Sequence, residues 1–372
     1  MRVALRMAKR MLGQTAPNPA VGAVISDEAT GEMIARGWTQ LGGRPHAEAN
    51  ALERAGERAR GKTMYVTLEP CSYHGRTHPP ITKTMPCAEA ILAAGMRRVV
   101  VATEDPNPEI AGAGVKVLRN AGVTVDLGIC GEEARWMAAG HILRMTEGRP
   151  LVQLKMAVSG DGLIAPGEGA PRWVTGPEAR AFAHLLRARA DAILVGRKTV
   201  EDDDPDLTCR LPGLEFRSPR RLILDGKFRT RPTARLVTTS RRVPVIIFGD
   251  ATSTPPAYPP GVQTRRLPAG ADGRLDLVAM LESLGADGVT RLLVEGGPTV
   301  AGALVAADLV DEAVFARGNE QLGEAGLTPI GSRGLETFAD TSRWEPVEDR
   351  AMGSDRLLAY RRRGRFAQDE AA

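Results

Sequence analysis

Apolar and polar positions along this chain follow two periods, and the switches between them lay out the elements. Residues 1–12 (MRVALRMAKRML) carry apolar side chains at helical spacing. A rigid turn with two prolines and Asn18 (TAPNPAVG, 15–22) leads into the short apolar run VGAVIS at 21–26. After the polar loop 27–32, MIARGW (33–38) completes a predicted hairpin. Helix 46–56, strand 63–68, a long loop, helix 86–95, strand 97–103, loop 105–114, helix 115–122, strand 123–128 and helix 132–145 follow. Pro86 suits the first turn of its helix. Strands alternating with helices predict a layered α/β sheet.

The polar, turn-like segment TEGRP (146–150) marks a predicted boundary, giving domains over 1–146 and 147–365 and a tail over 366–372. A second alternating series begins with strand 151–159, helix 177–190 and strand 191–196. An acidic loop over 197–210, strands at 221–225, 235–239 and 243–249, and an exposed Pro/Ser-rich loop over 250–261 come next. Helix 275–288, strand 290–295, a Gly-Gly-Pro turn with a helix start over 296–307, and strand 355–361 complete it. The run RRRGR (361–365) reads as a solvated tail. The halves show no repeat, so two different domains are expected.

Composition narrows the picture. A chain of 372 residues is long for one core. Its 43% hydrophobic and 25% charged residues are those of a soluble globular protein. The net charge of +4 favours small anionic ligands such as phosphate esters. No Lys/Arg tract calls for nucleic acid. Four cysteines are too few for a disulfide framework, and Cys130 and Cys209 read as unremarkable thiols. With no signal-peptide pattern and no run able to span a bilayer, a cytoplasmic protein without a membrane partner is expected. A homo-oligomer is compatible with the sequence.

Residues suited to metal-assisted hydrolysis cluster between 46 and 87. Zinc lowers the pKa of a bound water from about 15.7 to about 7, and three protein ligands leave the fourth tetrahedral position open for it. A proton shuttle must stand beside that water without binding the metal. The pattern H-x-E followed by P-C meets both demands. It gives His46 and Cys71 as ligands and Glu48 as general acid/base. Position 74, where a second cysteine is expected, is His74. Cys87, behind Pro86 at a helix start that favours thiolate, is the preferred third ligand, with His74 as the alternative. His78 reads as a loop or substrate-facing residue. Singly, a His-x-Glu or a buried Cys is commonplace; the ordered combination carries the signal.

In the second half, LLVEGGPTVAG combines a strand, a turn and a helix start, which lets backbone N–H groups approach phosphate. A tight turn would need the same glycines for backbone reasons, and the motif is not GxGxxG. The acidic loop reads as solvated rather than as a divalent-metal site. Glu295 either binds sugar hydroxyls or caps the turn, and Arg187 and Arg210 are phosphate forks or surface residues.

PNPAVGAVI, HAEANAL, YVTLEPCSYHGRT, DPNP and AGAG together resemble the deaminase domain of the bifunctional riboflavin-biosynthesis deaminase–reductases. That resemblance implies a cytidine-deaminase-like α/β/α fold, zinc on His46, Cys71 and Cys87, and Glu48 as proton shuttle. KMAVSGDGLIA, RWVTG, LLRARADAILVGRKTVEDDDPDLT and VEGGPTVAGAL resemble the reductase domain of the same family. It implies a dihydrofolate-reductase-like α/β fold that uses NADPH to reduce a ribosyl to a ribityl group. Carried over by position, Trp173, Thr199, Asp203, Gly297, Pro298, Thr299, Val300, Ala301, Gly302 and Ala303 would contact NADPH. Arg187, Leu207, Arg210 and Glu295 would contact a phosphorylated pyrimidine. This chain departs from the family pattern in the residues before Cys87, at Pro171, and after VDEAVFARG. Two rival readings are a zinc deaminase of the cytidine or tRNA type, and a chain in which only the reductase half is active beside a zinc-free deaminase-like scaffold.

Overall fold

The predicted helices and strands of the first half form one sheet with helices packed on it. Helix α1 (Arg2–Lys9) precedes the hairpin β1 (Gly22–Ser26) and β2 (Met33–Trp38). Helix α2 (Ala47–Ala55), β3 (Thr63–Val66), α3 (Cys87–Ala93), β4 (Arg98–Val101), α4 (Ala113–Asn120), β5 (Thr124–Leu127) and α5 (Gly131–Glu147) follow. The sheet order is β2-β1-β3-β4-β5, antiparallel on the β2 side of β3 and parallel beyond it. This computed structural model describes residues 1–72, 85–107, 111–165, 173–270 and 272–366. His74, His78 and Pro171 lie outside them. The chain divides into two units, one of Met1–Arg149 joined by the residues from Phe366, the other of Pro150–Arg365.

The middle strands are apolar on both faces, as strands covered on both sides must be. Ile25, Met64, Val66, Val99 and Val101 are buried in the core with Ile91 of α3 and Leu118 of α4. Helix α2 reaches the sheet closely because small residues face it: Ala47, Ala51 and Ala55 are buried. Opposite them stands Gly37 of β2, where a Cβ would lie 2.2 Å from the Ala47 carbonyl oxygen and 2.5 Å from Ala51 N. Helix α5 runs to Glu147, beyond the predicted end. Gly148, left-handed at φ 69°, stops it.

The second unit is built on a nine-stranded sheet. Its elements are β6 (Leu151–Val158), α6 (Pro177–Ala188), β7 (Ala192–Gly196), α7 (Arg197–Asp203), β8 (Arg220–Leu224), α8 (Arg235–Thr238) and β9 (Val245–Asp250). Then come β10 (Val262–Leu267), α9 (Leu277–Ala286), β11 (Arg291–Glu295), α10 (Pro298–Ala306), β12 (Glu312–Arg317), β13 (Trp344–Met352) and β14 (Asp355–Arg362). The order is β10-β9-β8-β7-β11-β6-β12-β14-β13, parallel from β10 to β12, with an antiparallel β14–β13 edge. The side-by-side strands β7 and β11, far apart in sequence, both end at the same rim, and α7 and α10 leave from it.

Three local expectations are corrected. Residues 197–203 are helical, not loop, because Arg197–Glu201 and Lys198–Asp202 ion pairs at i,i+4 offset the acidic crowding. Residues 235–238 form a helical turn, not a strand, capped from afar: Asp204 Oδ1 accepts the Arg235 N–H at 2.8 Å. The RRRGR run is not a free tail. Arg361 pairs with Glu312 at 3.3 Å and Arg365 with Asp311 at 3.2 Å, and Arg362 pairs with Asp308. Strands β10, β12 and β13 lie outside the predicted elements.

The tight α2–β2 contact sets a test. Gly37→Ala is expected to destabilise the first unit by about 1–3 kcal/mol, read as a lower unfolding midpoint of that unit. An unchanged midpoint would mean that α2 can retreat from the sheet freely.

Candidate active sites

In the first unit, the site is assembled at two helix starts. His46 is the N-cap of α2, with extended backbone (φ −68°, ψ 163°). Glu48 sits in the first turn of the same helix and is buried. Cys71 follows Pro70 after β3, and Cys87 is the first residue of α3. His46 Nδ1 lies 3.7 Å from Cys71 Sγ and 3.4 Å from Cys87 Sγ. All three donor atoms lie within 4.8 Å of one another. Zinc bonds of about 2.0 Å to nitrogen and 2.3 Å to sulfur in a tetrahedron separate N and S donors by about 3.5 Å. The donor set and its spacing therefore fit zinc. Among the described residues Cys87 completes the cluster with His46 and Cys71.

The electrostatics suit the same use. A hydrogen bond from the Cys87 thiol holds Cys71 far down, at about 4, against the opposing effect of burial, and His46 assists. The Cys87 N–H also donates to Cys71 Sγ, at 3.3 Å. Donation of the Cys87 S–H to Cys71, together with burial, pushes the Cys87 thiol up. Hydrogen bonding to Cys71 raises His46. Burial lifts Glu48 to about 7, with His46 opposing. A carboxyl group that both gives and takes a proton near neutrality is a general acid/base.

A residue outside the sequence reading braces this site. Glu69, buried beside Pro70–Cys71, accepts the N–H groups of Asp105 (3.1 Å) and Gly112 (2.9 Å) on Oε2 and of Val115 (3.1 Å) on Oε1. It thereby joins the cysteine loop to the DPNP loop and the start of α4. Asn18 of the proline turn donates to the Gly43 carbonyl at 3.2 Å, just ahead of His46.

In the second unit, a buried ion pair dominates. Arg187 of α6 grips Glu295, at the end of β11, through Nε–H to Oε1 at 2.7 Å and Nη2–H to Oε2 at 2.8 Å. Its Nη1 donates to the Thr208 carbonyl at 3.1 Å. Lys155 Nζ, from β6, stands 3.9 Å from Glu295 Oε2. Burial alone would raise Glu295, but Arg187 and Lys155 hold it down at about 2. His184 Nδ1 accepts the Arg210 N–H at 3.2 Å. Leu207 has left-handed backbone (φ 55°) and a side chain buried in the core of the unit. The sequence reading missed Lys155 and Thr208; a lysine inside the apolar run QLKMAV was the available signal.

The residues expected at NADPH divide. Thr199 lies beside the Gly296–Gly297 turn: a Cβ on Gly297 would be 3.3 Å from Thr199 Oγ1. The two glycines have φ of 98° and 74° and lead into Pro298 at the start of α10, which has no side-chain cap. This leaves a helix start and bare turn able to receive phosphate oxygens, so the chemistry fits a dinucleotide phosphate. Thr299 is exposed and Val300 half-buried. Ala301 is fully buried, and Gly302 packs closely on Gly331, where a Cβ would lie 2.9 Å from Gly331 N. Pro298 and Ala303 are half-buried. Asp203 ends α7. Trp173 is 56% exposed, with the Arg180 guanidinium 5.2 Å from its ring centre.

The cytidine and deoxycytidylate deaminase zinc-binding region matches residues 1–103, and the RibD C-terminal domain matches residues 150–358. The riboflavin biosynthesis protein RibD of Escherichia coli K12 is 39% identical, covering 95% of this chain and 96% of the relative. That of Aquifex aeolicus is 38% identical, covering 97% of each. Among solved structures, Acinetobacter baumannii RibD (form 1) superposes with a TM-score of 0.81 at 33% identity, covering 97% of each chain. The Thermotoga maritima diaminohydroxyphosphoribosylaminopyrimidine deaminase/5-amino-6-(5-phosphoribosylamino)uracil reductase superposes with a TM-score of 0.82 at 34% identity, again covering 97% of each. Agreement across both halves supports the two-activity reading over a zinc deaminase of the cytidine or tRNA type and over a chain with only the reductase half active beside a zinc-free deaminase-like scaffold. With a cytidine-deaminase-like zinc half and an NADPH-dependent reductase half, the chain belongs to the RibD family of bifunctional riboflavin-biosynthesis enzymes.

Proposed function

We propose that residues 1–146 deaminate 2,5-diamino-6-ribosylamino-4(3H)-pyrimidinone 5′-phosphate and that residues 147–365 reduce the ribosyl group of the product to ribityl. The observation that carries this reading is the convergence of His46, Cys71 and Cys87 beside a buried Glu48, in a chain whose full-length relative is named for both reactions. Trp173, Thr199, Asp203 and the turn from Gly297 to Ala303 hold NADPH. Arg187, Leu207, Arg210 and Glu295 hold the phosphorylated pyrimidine, with Lys155 added to that group. The reading extends to a cytoplasmic enzyme of small-molecule substrates, with no nucleic acid or membrane partner, and leaves room for a homo-oligomer. Among the described residues no helix is long and apolar enough to cross a membrane.

His46, Cys71 and Cys87 hold zinc, which when bound supplies Lewis acidity and an activated water near neutral pH. Glu48 takes a proton from the attacking water and returns it to the departing amino group, which leaves as ammonia. In the second unit NADPH, when bound, would supply the hydride. Glu295, fixed by Arg187, orients the sugar hydroxyls, and Lys155 keeps positive charge beside the carbohydrate, so the protein's part is chiefly alignment of two reactants.

Separate assays of ammonia release and NADPH oxidation test both halves. The purified chain should carry one zinc per molecule, and Cys87→Ala should lose zinc and ammonia release while still oxidising NADPH with the deaminated substrate. A variant that keeps stoichiometric zinc would sink the ligand assignment. Glu48→Gln should retain zinc yet release ammonia about 10²–10⁴-fold more slowly; a wild-type rate would remove Glu48 from the chemistry. The ion pair sets a pH dependence of stability. Glu295 has a folded pKa of about 2 against 4.5 in the unfolded chain, so its contribution is complete above pH 4.5 and is lost as pH falls toward 2. Glu295→Gln, lacking this proton uptake, should show a flatter dependence of second-unit stability on pH across that window. An identical slope in both proteins would contradict the pairing.

A further inference from the structure

Among the described residues Arg221 is the largest fully buried side chain, and it has no place in the chemistry above. It rises from β8 beneath the loop that ends at Arg210. Nη1 donates to the Asp206 carbonyl at 3.3 Å and to Thr239 Oγ1 at 2.8 Å, and Nη2 donates to the Val243 carbonyl. Nη1 also stands 3.7 Å from Asp206 Oδ1. Burial lowers its pKa to about 10, with Asp206 opposing, so the group is cationic at neutral pH. A cation removed from water is costly where an apolar side chain would fill the same volume.

What the cation secures is a loop in unusual backbone. Asp204 and Leu207 have φ of 40° and 55°. Asp is common in that region, but a leucine such as Leu207 keeps it only where its surroundings over-determine it. Asp206, held at its carbonyl by Arg221, accepts the Thr208 hydroxyl on Oδ2 at 2.9 Å. The Thr208 carbonyl accepts from Arg187, which grips Glu295. A continuous series thus runs from Arg221 through Asp206, Thr208 and Arg187 to Glu295, with Leu207 inside it and Arg210 tied on through His184.

We propose that Arg221 is a positioning residue for the reduction, fixing residues 206–210 so that Leu207 and Arg210 meet the phosphorylated substrate in register with Arg187 and Glu295. The inference rests on the reading of Leu207 and Arg210 as substrate contacts. It is tested in the zinc-loaded, full-length enzyme, with 5-amino-6-(5-phosphoribosylamino)uracil and NADPH for the reduction and with 2,5-diamino-6-ribosylamino-4(3H)-pyrimidinone 5′-phosphate for ammonia release. Arg221→Lys keeps the charge and loses the planar fork. It should raise KM for the pyrimidine about tenfold, since small misplacements at a site are expensive. KM for NADPH and the rate of ammonia release should stay within about twofold of wild type. A packing role alone would reduce the folded fraction and lower apparent kcat with both KM values unchanged; that result overturns the proposal, as does an equal rise in both KM values. Arg210→Ala, at an exposed position, separates the two levels. If it raises the pyrimidine KM and Arg221→Lys does not, the positioning role fails alone. If neither raises it, the reading of the loop as a substrate contact fails as well. Should Arg221→Lys not fold, Asp206→Ala removes the acceptor for Thr208 and must show the same KM split, and its absence is equally decisive.

Discussion

A carboxylate withdrawn from water must find donors in the protein, and that demand organises both units. Glu69 is satisfied by three backbone N–H groups, and in being satisfied it ties the cysteine loop to the start of α4. Glu295 is satisfied by the Arg187 fork and by Lys155. Asp191 accepts the N–H groups of Thr290 and Arg291 and the Thr290 hydroxyl, locking β11 beside β7. Exchanging Glu69 or Asp191 for an apolar residue would leave backbone N–H groups unpaired, and exchanging Glu295 would leave the buried Arg187 fork without its partner.

Close backbone approach is the second organising device. Alanines on α2 and Gly37 on β2 bring the helix that carries His46 and Glu48 against the sheet. Gly114 of α4 does the same beside the cysteine loop, where a Cβ would meet the Pro70 carbonyl at 2.0 Å. With so few aromatics available, small side chains rather than large ones set the spacing of the first unit.

The two sites distribute charge in opposite ways. At the cysteine cluster, one buried acid is lifted to about 7 because burial outweighs its cationic neighbour. At the ion pair, another buried acid is held at about 2 because two cations outweigh burial. The first can exchange a proton near neutral pH; the second is a fixed charge. That contrast matches a half that moves protons and a half that aligns a hydride donor with its acceptor.

Sequence alone determined the alternation of strands and helices, the residue types of the zinc cluster and the Gly-Gly-Pro turn, because each is a local pattern: a period, a spacing, a backbone requirement. It left both Cys87 and His74 as candidates for the third member of the cluster; among the described residues, the convergence of two helix starts brings Cys87 to His46 and Cys71. It could not show that Arg187 and Glu295, 108 positions apart, satisfy one another. Nor could it show that Asp204 caps a turn 31 residues away, so residues 235–238 looked like a strand. Residues 197–203 looked like loop because the four consecutive acids Glu201–Asp204 mask a helix whose one buried residue, Val200, finds its core partners only in the folded unit. Buried charges are legible only when their partners are known, and partners separated by a hundred residues meet only through the order in which the strands pair.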